Sequence, residues 1–202
     1  MSKVAIALVR TEASVHLGPR QVGVCRTGGL EGGVHALYAA EQRHAADPSL
    51  AMVDFRNAFN PFFRATMLRE VRRALPELAP WVEFCYACPN PLFYGEHRMD
   101  CTTGVQQGDP LGPLLFSIVL APLIKRLEDK CELLFLSWHL DDGVLIVPHE
   151  EVARALATSA KESGSTGIYL NPGKSELWWP AWEPAAKSID SSRIEKDTAR
   201  PF

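Results

Sequence analysis

The chain has 202 residues, of which 47% are hydrophobic, enough for a buried core in one domain or in one large piece of a bigger one. Its formal net charge of −3 counts against tight, independent binding of nucleic acid, although a local basic surface remains compatible with it. No run approaches the roughly 20 apolar residues of a membrane-spanning helix.

Residues 1–17 read as a helix. The stretch 18–33 holds six glycines (Gly18, Gly23, Gly28, Gly29, Gly32, Gly33) and reads as a loop. Val34 to Arg43 reads as a second helix, stopped by Asp47-Pro48-Ser49. Leu50-Ala51-Met52-Val53 is a short apolar run, a buried strand that ends at Asp54. Asn60-Pro61 predicts a helix start, followed by an apolar stripe at Phe63, Met67, Val71 and Leu75. Arg64, Arg69, Arg72 and Arg73 lie mostly off that stripe and read, with Arg56, as solvated.

Leu92-Phe93-Tyr94 and Arg98 to Thr102 predict a hairpin. A loop rich in Gly and Pro over 104–113 leads into a helix from Leu114 to Lys130, with a bend expected at Pro122. Leu133 to Trp138 and Val144 to Val147 predict two strands around a turn holding Asp141-Asp142-Gly143. A helix over Glu150 to Ser163, a strand at Ile168-Tyr169-Leu170, a turn at Asn171-Pro172-Gly173-Lys174 and a strand from Glu176 to Trp179 complete the order. From Pro180 the chain has no period and is expected to be an irregular tail. This order predicts an α+β domain similar to a split βαβ sheet.

Five cysteines with a single CxxC (Cys85, Cys88) and no second pair do not make a zinc site, so they read as reduced thiols of an intracellular protein. The chemistry lies in the carboxylates. Asp54 ends one apolar strand, and Asp141 and Asp142 join two others. If these strands are neighbours, the three acids converge at one sheet edge, where hard divalent cations would find oxygen ligands.

The segments between those acids carry a resemblance. Val53-Asp54-Phe55-Arg56-Asn57-Ala58-Phe59-Asn60 resembles the first palm motif of non-LTR retrotransposon reverse transcriptases. Gly104 through Ser117, with Gln106-Gln107-Gly108-Asp109-Pro110-Leu111-Gly112, resembles their second. Leu140-Asp141-Asp142-Gly143 is similar to the paired-aspartate motif, and Gly167 to Leu177 to the motif after it. Gln21-Val22-Gly23-Val24, Gly28-Gly29 and His35-Ala36 look like the stretch that precedes the first motif. The resemblance covers roughly residues 17–178.

It implies a polymerase palm-like antiparallel sheet with helices packed on one face, in a right-hand polymerase architecture with incomplete fingers and no thumb. Residues 1–48 would be a leading fingers and palm segment, 49–179 the palm, and 180–202 the tail. The implied activity is RNA-directed DNA polymerisation, with Mg²⁺ or Mn²⁺, an RNA template, a DNA primer and deoxynucleoside triphosphates. The resemblance assigns Asp54, Asp141 and Asp142 to the metals and catalysis, and Lys174 to catalysis, as the lysine that protonates pyrophosphate or contacts the triphosphate. It assigns Phe55, Phe59, Gln107 and Gly108 to substrate binding, with Phe59 against the ribose 2′ position. It implies an intracellular, nuclear setting for an active enzyme and no membrane. His139 stands where the family usually has Tyr. A non-catalytic palm relic and another palm-like enzyme, such as a nucleotidyl cyclase, are the alternatives.

Overall fold

The computed structural model describes residues 1–43 and 48–179. In chain order its elements are helices α1 (Ser2–Leu17) and α2 (Gly29–Arg43), strand β1 (Pro48–Val53), helices α3 (Arg64–Ala74) and α4 (Ala79–Tyr86), and strands β2 (Asn90–Tyr94) and β3 (His97–Cys101). Helix α5 (Gly112–Lys130), strands β4 (Phe135–His139) and β5 (Asp142–Pro148), a single 3₁₀ turn, helix α6 (Val152–Gly164) and strand β6 (Glu176–Trp178) follow. Four strands form an antiparallel sheet of order β4-β5-β1-β6, and β2 and β3 form a separate hairpin. The expected α+β architecture is present.

The period of two along each strand decides how the sheet is covered. Ala51 and Val53 of β1, Leu145 and Val147 of β5, and Leu136 and Trp138 of β4 all join one buried core. That core also holds Met67 and Val71 of α3, most of α5, and Val152 and Ala155 of α6. The alternate residues look the other way, and there Met52 and Trp178 are exposed. So α3, α5 and α6 cover one face, while α2 lies against β4. Gly143 makes the packing at β4 possible: it pairs with Trp138 across the strands, and a Cβ on it would sit 2.5 Å from the indole ring. The fully buried Trp138 lies over this gap and stacks on Phe55, centroids 5.5 Å apart.

Several expected boundaries moved, each for a contact reason. Helix α2 starts at Gly29, so Gly32 and Gly33 are helical, and a Cβ on Gly29 would lie 2.1 Å from the Val22 carbonyl oxygen. Helix α3 starts at Arg64 rather than at Asn60-Pro61. The carbonyls of Phe59 and Phe62 accept from the Val105 and Gly104 amides, and the Phe63 amide donates to the Thr166 carbonyl. Phe62, not Phe63, is the buried ring. Helix α4 was not foreseen from the sequence. Ile168-Tyr169-Leu170 makes one isolated bridge, Phe55 to Leu170, instead of a strand. Arg64 is buried, whereas Arg69, Arg72 and Arg73 are exposed as expected. Pro122 lies inside α5. The five cysteines are free. The tail from Pro180 and the helix stop at Asp47 fall outside the described residues, among which no helix is long and apolar enough to cross a membrane.

Candidate active site

Strand register brings the acids together. The β1–β5 register ends with Val53 of β1 opposite Gly143 of β5, so Asp54 follows β1 at the edge of the sheet where Asp142 opens β5. His139 of β4 pairs with Asp142 on its other side. Leu140 and Asp141 form the turn between β4 and β5, so Asp142 is the first residue of β5 and not part of the turn, as the sequence suggested. Like charges gathered at one edge of a sheet repel, and a cation between them would offset the cost.

Asp141 feels both neighbours. Its carboxyl is held above the ordinary aspartate range, first by burial and then by the charges of Asp142 and Asp54. Its own backbone N–H and His139 pull the other way. Asp54 is fixed by the turn that follows Leu170. Asn171 Nδ2 donates to Asp54 Oδ1 at 2.9 Å, and the Asn171 amide donates to the Asp54 carbonyl, also at 2.9 Å. The Asp54 amide donates to Ser175 Oγ, which itself donates to the Asn171 carbonyl. One carboxylate oxygen of Asp54 is thereby occupied, and the amide partner holds its plane. Lys174 sits exposed in this turn with its amide bonded to the Asn171 carbonyl at 3.0 Å. Neither Asn171 nor Ser175 was assigned a role from the sequence, where Asn171 read as the start of a turn.

The β4–β5 turn is fixed from the opposite end of the chain. Gln21 is fully buried and bonds the Leu140 peptide groups through both atoms of its side-chain amide. Its neighbours bridge to Trp138: the Trp138 amide donates to the Arg20 carbonyl at 2.6 Å and the Val22 amide to the Trp138 carbonyl at 2.7 Å.

The other residues assigned by resemblance fall into two groups. Gln107 and Gly108 are exposed on the loop before α5. Gly108 has φ 89 and open space where a Cβ would go, so its backbone conformation is what demands glycine. Asp109 braces the loop: Oδ1 accepts from the Leu111 amide and Oδ2 from the Tyr86 hydroxyl. Burial, and then that bond, push the Tyr86 phenol up. The phenylalanines belong to the interior. Phe55 is 3% exposed under Trp138, so its ring is committed to the core and not to a substrate. Phe59 is half-buried, its ring 4.8 Å from that of Phe116.

Among the described residues no three His, Cys, Asp or Glu side chains close into a ready-made metal cage. The three acids are gathered but do not meet at one point, as the sequence had suggested. The donor set still fits a hard cation. Mg²⁺ is commonly held by one or two carboxylates while substrate phosphates and water complete its shell. Asp54, Asp141 and Asp142 at one edge of the sheet offer such a partial set, and the charges of Asp54 and Asp142 both act on Asp141.

Comparison with known proteins agrees with this geometry. A family model described as "Reverse transcriptase (RNA-dependent DNA polymerase)" matches residues 3–193. The chain belongs to the reverse transcriptase family. A 132 kDa protein of the retrotransposable element SLACS from Trypanosoma brucei gambiense is 31% identical over 183 residues, covering 87% of this chain and 15% of that protein. The Pol polyprotein of the type-1 retrotransposable element R2 from Popillia japonica is 38% identical over 81 residues, 35% of this chain and 13% of that one. The chain is thus a reverse transcriptase domain segment of the non-LTR retrotransposon kind, spanning under a sixth of those relatives. Telomerase from Candida albicans superposes with TM-score 0.66 at 11% identity, over 93% of this chain and 36% of that one. Apo telomerase from Candida tropicalis, truncated from its C-terminal domain, gives 0.66 at 10% over 93% and 42%. These two likenesses establish a right-hand polymerase fold for this reverse transcriptase segment.

Proposed function

We propose that this segment supplies the palm of an RNA-directed DNA polymerase site. Asp54, Asp141 and Asp142 would hold Mg²⁺ or Mn²⁺. The RNA template, DNA primer and deoxynucleoside triphosphate would enter over the open end of the sheet. The observation that carries the reading is the gathering of Asp54, Asp141 and Asp142 at one edge of the sheet, where β1 ends and β5 begins and where the charges of Asp54 and Asp142 both act on Asp141. Bound divalent ions would supply charge neutralisation for in-line phosphoryl transfer. The chain's own part is positioning. The β1–β5 ladder sets the spacing, Asn171 orients Asp54, and Gln107 and Gly108 offer an exposed loop to the template and incoming base. Lys174, in the turn that holds Asp54, would meet the triphosphate. Phe59 would limit the space at the ribose 2′ position from its place beside Phe116.

Primer extension on an RNA template with Mg²⁺ tests this. Asp141→Ala is expected to lower the rate about a thousandfold, equivalent to ~4 kcal/mol of lost charge stabilisation. Full activity in that variant overturns the reading. The acidic net charge favours the non-catalytic palm as the second reading. It gains if the wild-type chain binds Mn²⁺ through Asp141 yet extends no primer. Asn171→Ala is expected to weaken Mn²⁺ binding about tenfold, because an oriented ligand loses its hydrogen-bonding partner. Titration of the Mn²⁺ electron paramagnetic resonance signal measures this, and unchanged affinity would mean that the Asn171 bond only braces the turn.

A further inference from the structure

Leu140 has φ 58, a left-handed conformation that costs a leucine about 1–2 kcal/mol. A turn of this kind ordinarily takes glycine at that position. Here a residue 119 positions away holds it. Gln21 Oε1 accepts from the Leu140 amide at 2.9 Å and from the Gly23 amide at 3.0 Å, while Gln21 Nε2 donates to the Leu140 carbonyl at 3.2 Å. Gly23 leaves the room for this: a Cβ there would come within 2.9 Å of the Leu140 amide nitrogen. The Gln21 side chain is fully buried with both of its polar atoms bonded.

The Leu140 carbonyl and the Asp141 N–H belong to one planar trans peptide, so they point in opposite directions. Fixing the carbonyl on Gln21 fixes the N–H on the other side. The same plane fixes the direction in which the Asp141 Cα, and with it the side chain, leaves the turn. We infer that Gln21 is a positioning residue for the metal ligand Asp141, acting through the orientation of the Leu140–Asp141 peptide. This deepens the polymerase reading above and rests on it for the metal. Bracing the turn and aiming the carboxylate are separable effects: the first concerns the strain at Leu140, the second the direction of one peptide plane.

The test uses the full chain and two readouts, the NMR shift of the Asp141 amide proton and Mn²⁺ affinity by electron paramagnetic resonance. Gln21→Met keeps the length of the side chain and removes its bonding. It is expected to shift the Asp141 amide proton and to weaken Mn²⁺ binding about tenfold to a hundredfold. Adding Leu140→Gly removes the left-handed strain, so it should return the melting temperature toward wild type while restoring neither readout. A folded Gln21→Met variant with unchanged amide shift and affinity overturns the inference. So does full recovery in the double variant, which would make Gln21 a brace and nothing more. If Gln21→Met does not fold, Gln21→Glu, which keeps the acceptor and loses the donor, carries the same comparison. If the wild-type chain shows no Asp141-dependent Mn²⁺ binding, the metal reading fails, and the amide shift alone still decides whether Gln21 sets the peptide.

Discussion

Gly104→Ala is expected to destabilise the fold by about 4 kcal/mol or more, a loss at the far end of single-substitution effects. Two costs coincide at this position. Its φ of 58 penalises any side chain. The added methyl would also lie 2.3 Å from the Phe59 carbonyl oxygen and 2.4 Å from that of Asn60. Both obstacles are backbone, so no rotamer change relieves them. The neighbouring amides are the ones that tie the loop before α5 to the segment after Asp54: Gly104 to the Phe62 carbonyl and Val105 to the Phe59 carbonyl, each at 2.9 Å. Relief of the clash therefore separates the two. Gly108→Ala provides the comparison within the same loop. With φ 89 and nothing near its Cβ position, it should cost only the backbone strain, ~1–2 kcal/mol. Urea unfolding of both variants measures the difference. Equal losses would mean that the approach of Gly104 to residues 59 and 60 yields without cost.

These two glycines show where the sequence could be read and where it could not. The acids were legible because each sits beside a short apolar strand and the motifs come in family order. Antiparallel pairing of β1 with β5 then brings Asp54 and Asp142 to one edge of the sheet. What the sequence concealed were contacts that override local preference. Asn60-Pro61 has the chemistry of a helix start, yet the carbonyls around it are taken by Gly104 and Val105, and the helix begins at Arg64. Leu140 carries no mark of a left-handed residue, because the group that holds it is Gln21 and a glutamine in a glycine-rich stretch reads as loop. Asn171 read as a turn former, and it is one; its second bond, to Asp54, spans 117 positions. Helix α4 has eight residues, too few for a period to show. The resemblance assigned Phe55 to the substrate, but its ring is buried and stacks on Trp138. Arg64 was read as solvated on the general habit of charged helix residues, and that habit fails where the side chain has enough acceptors.

Arg64→Met is the second large loss expected. The guanidinium is 7% exposed and has no ion-pair partner among the described residues. Its charge is satisfied instead by neutral groups. Nε donates to the Gly104 carbonyl at 3.0 Å. Nη1 donates to Asn90 Oδ1 at 2.9 Å and the Cys88 carbonyl at 3.3 Å, and Nη2 to Cys101 Sγ at 3.4 Å. The group also lies 5.1 Å from the centre of the Tyr86 ring. One side chain thus joins α3, the end of α4, the root of the β2–β3 hairpin and the loop before α5. Methionine fills similar volume and removes the cost of burying a charge, which lowers the penalty. It also leaves the Gly104 and Cys88 carbonyls and the Asn90 amide oxygen without these donors, at about 1–3 kcal/mol for each one that stays buried. The balance expected is a loss of about 3 kcal/mol, or roughly 10 °C in melting temperature for a chain of this length. Lysine should do little better, since a point charge cannot meet acceptors that the planar fork reaches on several sides. The loss should show in local order as well as in the melting temperature. Hydrogen exchange at Gly104 and Val105 is expected to accelerate in Arg64→Met, because the loop that carries Gln107 and Gly108 is anchored through this residue. A variant with wild-type exchange there and an unchanged melting temperature would show that the buried guanidinium contributes no net stability to the palm.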